Sequence, residues 1–149
     1  MKQKVGDRVP VLHGLREFWF AVLSMLDCPG FVSVWANFAP KLSLDLYHAG
    51  CVEKDFLKVQ EILYNKLTPL IKFDEKLSRN HGPTTTILCT EPQGYMGPYM
   101  WISLIKEAQN IIGLHSGVPR LPLTPLSKEE KEQLAKVLES IGVSTHIRR

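Results

Sequence analysis

What most limits the folds open to this chain is a pair of short apolar runs with a single helical stretch between them. Val9-Pro10-Val11-Leu12 closes at His13-Gly14, and Phe31-Val32-Ser33-Val34 follows the punctuation Cys28-Pro29-Gly30. Each run is aliphatic or β-branched and bounded by turn formers, which is how a short buried strand reads. From Leu15 to Leu26 the apolar side chains fall on nearly every face, as in a helix packed on a sheet. Strand, helix, strand predicts a parallel βαβ unit, because parallel neighbours need a crossover long enough to hold a helix. Two parallel strands alone leave unpaired edges and an uncovered apolar face, so the pattern asks for more sheet than it contains.

After Asn37 the pattern is helical throughout. Pro40 suits the first turn of a helix running through Tyr47, where a missing N–H costs nothing. Gly50 separates it from a longer stretch, Glu53 to about Leu77, which Thr68-Pro69 should kink or break. Arg79 to Gly97 reads as a long loop with three glycines, two prolines and Thr84-Thr85-Thr86. Pro98 opens a further helix to Ile112, with Gly113 in place to end it. The segment Val118 to Leu126 is held extended by three prolines. Ser127-Lys128-Glu129-Glu130 has the spacing of a capping box, and the helix it starts carries Leu134, Val137, Leu138 and Ile141 on one face before Gly142.

Composition narrows the function classes. The 149 residues are 44% hydrophobic and 22% charged, an ordinary globular balance that argues for one domain or a piece of a larger one. A net charge of +3 is too small to argue for a nucleic-acid groove or a membrane-binding face, and neither partner is expected. The start of the chain is charged and lacks an apolar leader, so a cytoplasmic protein, or one of an organelle matrix, is expected. Cys28, Cys51 and Cys89 are odd in number and far apart, and read as free thiols rather than a disulfide scaffold or a thiolate metal site. The five histidines show no metal spacing; His13 and His48 read as junction or surface residues, and no metal or cofactor is expected.

Two segments carry a resemblance. Gly117-Val118-Pro119-Arg120-Leu121-Pro122-Leu123 with Pro125-Leu126-Ser127-Lys128-Glu129-Glu130 resembles the C-terminus of the dihydrodipicolinate synthase / N-acetylneuraminate lyase family. Upstream, Gly30-Phe31-Val32-Ser33-Val34-Trp35-Ala36-Asn37-Phe38-Ala39-Pro40-Lys41 is similar to that family's eighth barrel strand and the turn after it, and His13-Gly14 to the end of its seventh. The resemblance implies an α/β fold that is mostly helical overall. Residues 1–39 would give the last two strands and intervening helix of a (β/α)8 barrel, and residues 40–149 the final barrel helix and a C-terminal helical domain. A whole barrel takes roughly 250 residues, so this is a partial TIM barrel with a helical extension.

The family's members are class I pyruvate aldolases, which bind substrate as a Schiff base on a lysine. In the family that lysine is on the sixth strand, the catalytic tyrosine on the fourth or fifth, and the threonines that hold the pyruvate carboxylate near the first or second. None has a counterpart in these residues, so no catalytic residue is carried over. Two pyruvate-pocket positions are: Gly14, where the seventh strand ends, and Val32, on the eighth. Both would contribute shape and backbone rather than proton transfer.

Other candidates have plainer readings. Lys41 is the lysine nearest a strand end, and a solvated helix-start lysine is the simpler account. Tyr95 and Tyr99 are possible proton donors but more ordinary packing groups, and Asn37 suits a turn. Leu15, Arg16 and Glu17 follow Gly14 where many relatives carry acidic or hydroxylated residues that select the second substrate, and this departure leaves the substrate preference open. Arg120 is expected to tie the linker to helix-end carbonyls or a carboxylate.

The resemblance therefore implies a segment of a pyruvate-dependent aldolase or lyase, inactive alone. Its ligand, once a barrel is completed, would be pyruvate or another 2-oxo acid. The alternative is a non-catalytic helical interaction module derived from the family. Either reading expects homo-oligomers or association with a full-length paralogue.

Overall fold

A helix does lie between the two apolar runs: α1, Arg16–Met25, in a computed structural model that describes residues 6–14, 16–81, 100–121 and 123–145. The runs themselves form no strand among the described residues. They meet at one parallel bridge, His13 with Phe31, in which His13 N–H donates to Gly30 O (3.3 Å) and Val32 N–H to His13 O (2.9 Å). The expectation of two strands is corrected to a single rung of parallel pairing, and the described chain is mostly helical. Parallel ladders are stabilised by cover on both faces and by neighbours on both edges, and among the described residues the pairing of these two segments stops at one rung.

By compactness the chain divides into two units, 1–68 and 69–149. In the first, Phe38 and Ala39 lead from a short 3₁₀ turn, Trp35–Asn37, into α2, Pro40–Tyr47, with Pro40 in the first turn as its ring favours. The helix widens into a π turn, His48–Glu53, then re-forms as α3, Phe56–Ile62, capped by Asp55, whose carboxylate accepts the Lys58 N–H at 3.0 Å. Phe20 of α1 is fully buried against the rings of His13 and Phe31, and Trp35, Phe38, Leu46, Ala49 and Val59 are among the other buried side chains of this unit's core. Gly50 sits where α1 meets the π turn: a Cβ there would lie 2.6 Å from Phe20 Cε1 and 3.1 Å from Ser24 Cβ. Only glycine permits that approach.

Pro69 is met by helical backbone on both sides. A proline inside a helix loses one hydrogen bond and presses its ring against the carbonyl four residues back. Here the turn before it is a π-helix, Leu63–Leu67, and both the N–H and the hydroxyl of Thr68 bond to Leu63 O, the hydroxyl at 3.0 Å. The widened turn is one of the recognised ways a helix absorbs such a residue.

The second unit holds most of α4, Thr68–His81, with α5, Met100–Ile111, and α6, Lys128–Ser140. Leu70, Phe73 and Leu77 recur at helical spacing on α4, Leu104, Ala108 and Ile111 on α5, and Leu134, Leu138 and then Ile141 along and just past α6; all are buried. The capping box is present: the Ser127 hydroxyl accepts Glu130 N–H (3.2 Å), and Glu130 Oε2 accepts Ser127 N–H (2.9 Å). Glu130 also meets His81 Nε2 at 2.9 and 3.0 Å, joining α4 to the start of α6. α5 and α6 end on left-handed glycines, Gly113 and Gly142, as the sequence predicts. Among the described residues no helix is long and apolar enough to cross a membrane.

Candidate functional site

The single bridge organises the region where a pyruvate pocket is expected. Side chains alternate across a strand, so His13 and Phe31 face one way while Leu12, Gly14 and Val32 face the other. The first face is covered: the His13 and Phe31 rings lie 6.2 and 4.4 Å from that of Phe20 on α1. Burial there holds the His13 imidazole below its ordinary pKa, so it is neutral at neutral pH. The second face is covered beside Gly30, where a Cβ would lie 3.2 Å from Leu12 and 3.8 Å from Tyr47, and is exposed beyond it. Val32 is 59% exposed, and a Cβ added at Gly14 would meet nothing within 4 Å. Gly14 and Val32 thus lie together at one end of the parallel pair, where this face is exposed, and each contributes surface rather than a proton donor.

A buried carboxylate fixes the end of the second segment. Glu17, 1% exposed on α1, accepts through Oε1 the backbone N–H groups of Val34 (2.9 Å) and Trp35 (3.0 Å), and a hydrogen bond from the Ser33 hydroxyl. Ser33 Oγ in turn accepts Ala36 N–H at 2.9 Å and pairs with Ser43 Oγ at 2.7 Å. One oxygen thereby caps the 3₁₀ turn from across the fold, so Glu17 in this structure positions backbone rather than facing a ligand. Sequence reading left it among the residues after Gly14 with no assigned partner. The usable signal was an acidic residue on the face of α1 that also carries Phe20 and Ser24.

Lys41 has an 86% exposed side chain and is paired with Asp45 at 2.7 Å, so it is a solvated lysine of the first turn of α2 and lacks the desolvation a Schiff-base lysine needs. Asn37 closes its own turn, donating from Nδ2 to Val34 O at 2.8 Å. His48 is exposed against the Tyr47 ring. Tyr95 and Tyr99 lie outside the described residues, as does most of the Arg79–Gly97 segment. Arg120 is exposed, and the start of the linker is held by other groups: Asn110 accepts Ser116 N–H (2.9 Å) and donates to Gly117 O (3.1 Å), while Lys106 Nζ reaches Ser116 O (2.7 Å).

A cleft of about 400 Å³ opens beside the first apolar run, lined by Val9, Pro10, Leu12, Leu23, Leu26 and Cys28 among others. Among the described residues its lining holds no lysine or arginine, and burial lowers the pKa of His13 within it. Among the described residues no three His, Cys, Asp or Glu side chains gather as a metal site.

No family model matches the chain. It is 33% identical over 142 residues to a probable 5-dehydro-4-deoxyglucarate dehydratase of Polaromonas naphthalenivorans, which covers 93% of this chain and 40% of the relative. A protein of the same name from Acinetobacter baumannii is 30% identical over 142 residues, again over 40% of its length. Among solved structures, a dihydrodipicolinate synthase superposes with a TM-score of 0.61 at 30% identity, over 94% of this chain and 40% of that one. The dihydrodipicolinate synthase of Oceanobacillus iheyensis gives a TM-score of 0.61 at 23% identity, over 87% of this chain and 37% of that one, a likeness of fold. The chain therefore spans about two fifths of the length of the proteins it matches.

Proposed function

Since the chain is a relative of the C-terminal portion of the dihydrodipicolinate synthase family, we propose that it forms the last two βα units of a (β/α)8 barrel together with the helical extension. In that reading residues 1–39 supply the two strand segments and the helix between them, and 40–149 the final barrel helix and the helical domain. The face of the parallel pair that carries Gly14 and Val32 turns toward the barrel interior. Gly14 and Val32 then shape the wall of a pocket for pyruvate or another 2-oxo acid, and the reaction is carbon–carbon or carbon–oxygen lysis through a Schiff base. The observation that carries this is the parallel His13–Phe31 rung, with one face packed on Phe20 of α1 and Gly14 and Val32 exposed on the other. A barrel wall has the same two-sided character.

The catalytic lysine would come from residues beyond these 149, so they form no Schiff base alone. Lys41, solvated and ion-paired, is no substitute. Borohydride reduction of the purified chain with pyruvate, read by intact mass, tests this. No adduct is expected. A stoichiometric adduct on one lysine would overturn the inactive reading, and an adduct on the lysine of a relative's isolated first six βα units, formed only when this chain is added, would support a completed barrel.

A second reading is favoured by the outer side of α1, where Phe18, Trp19, Val22 and Met25, with Leu26 just past its end, are all more than half exposed. Such a stripe suits an interaction module that associates with a second copy or with a longer paralogue. Partner capture without any trapped adduct would favour it.

A further inference from the structure

We propose that Cys28 and Cys51 form a redox-convertible pair, a modification site at which a hydroperoxide converts two thiols into a disulfide joining the end of α1 to the π turn. Both cysteines are free and half-buried here. The Cys51 thiol donates to the backbone oxygen of Cys28 at 3.4 Å, and the Cys28 thiol to Gly30 O at 3.1 Å. The flanking residues are tied as well: Lys54 Nζ meets Asp27 Oδ1 at 2.9 Å. Two independent contacts thus lay residues 27–28 beside residues 51–54. Gly50, the neighbour of Cys51, packs the π turn onto Phe20 and Ser24 of α1 with no room for a methyl group. Close, fixed backbones are the first geometric demand of a disulfide.

Cys28 lines the cleft beside the first apolar run, where a small hydroperoxide can reach it. Burial, with a smaller contribution from the neighbouring Cys28, pushes the Cys51 thiol up, while Lys54 opposes this. Cys51 is therefore the resolving partner. The Cys28 thiolate attacks a peroxide oxygen, the O–O bond breaks, and a sulfenic acid forms as an alcohol leaves. Cys51 gives up its proton and attacks that sulfur, the S–O bond breaks, and water departs. In sum, two thiols and one hydroperoxide give one disulfide, one alcohol and one water; the two electrons pass from sulfur to peroxide.

The test is hydrogen peroxide treatment of the 149-residue chain, alkylation of the remaining thiols, and tryptic mapping without reductant. Cys28, Cys51 and Cys89 fall in separate peptides, 17–41, 42–54 and 80–106. The expected product is a cross-link of 17–41 with 42–54, lost on reduction, with Cys89 alkylated. Oxidation should quicken as pH rises, and C89S should keep the cross-link while C51S loses it. Links through Cys89, over-oxidised single cysteines without a cross-link, or no reaction would each overturn the proposal.

Discussion

At the scale of single residues, two positions carry more of the first unit than their size suggests. Gly50→Ala drives a methyl carbon to within 2.6 Å of the Phe20 ring, and should lower stability by about 2 kcal/mol. Gly14→Ala enters open space, and should leave the denaturant midpoint within about 0.5 kcal/mol of the parent. Urea unfolding of both variants checks the contrast. Glu17→Ala strands the amides of Val34 and Trp35, and a loss of about 3 kcal/mol is expected. Glu17→Gln keeps an acceptor oxygen and should cost about 1 kcal/mol, so equal losses for the two would count against the capping role. Neither position was legible beforehand. Gly50 was read as a break between helices, when its need arises from a ring thirty residues away. The sequence places Glu17 only by its position after Gly14, because two of its partners are backbone amides that no sequence pattern displays.

Among elements, those defined by local chemistry were legible and those defined by pairing were not. The capping box at Ser127, the proline-started α2 and the glycine ends of α5 and α6 all depend on neighbours within a turn, and the sequence states them directly. The strands did not form as read: Val9–Leu12 and Phe31–Val34 have the composition, but a ladder is built by partners on either side, and one rung is what two segments make. The π turns at His48–Glu53 and Leu63–Leu67 were equally hidden: one holds Gly50 against Phe20 and the other precedes Pro69. A pH dependence belongs to the bridged pair. Burial lowers the folded-state pKa of His13 below its unfolded value near 6.5, so the unfolded chain takes up the proton first as pH falls. Its contribution is complete above that value and is lost as pH drops through the folded pKa. Thermal melts from pH 7.5 to 5 should show a falling midpoint, less steep in His13→Phe.

For the molecule as a whole, exposed apolar surface is the dominant trait of the first unit. With Phe18, Trp19, Val22 and Met25 uncovered on α1 and Leu26 just past its end, we expect concentration-dependent self-association in light scattering, reduced in a Trp19→Lys, Met25→Lys double variant. A monodisperse parent that melts cooperatively as a monomer would refute it. The lone parallel rung has a further consequence, in the language of amide exchange. The His13 and Val32 amides are committed to each other's segment, and by the two-residue period of a strand the Leu12 and Gly14 amides address the opposite edge. Docking of another strand along that edge would therefore slow deuterium uptake at Leu12 and Gly14 together and leave His13 little changed, an alternating footprint that burial of α1 against a helical partner would not produce.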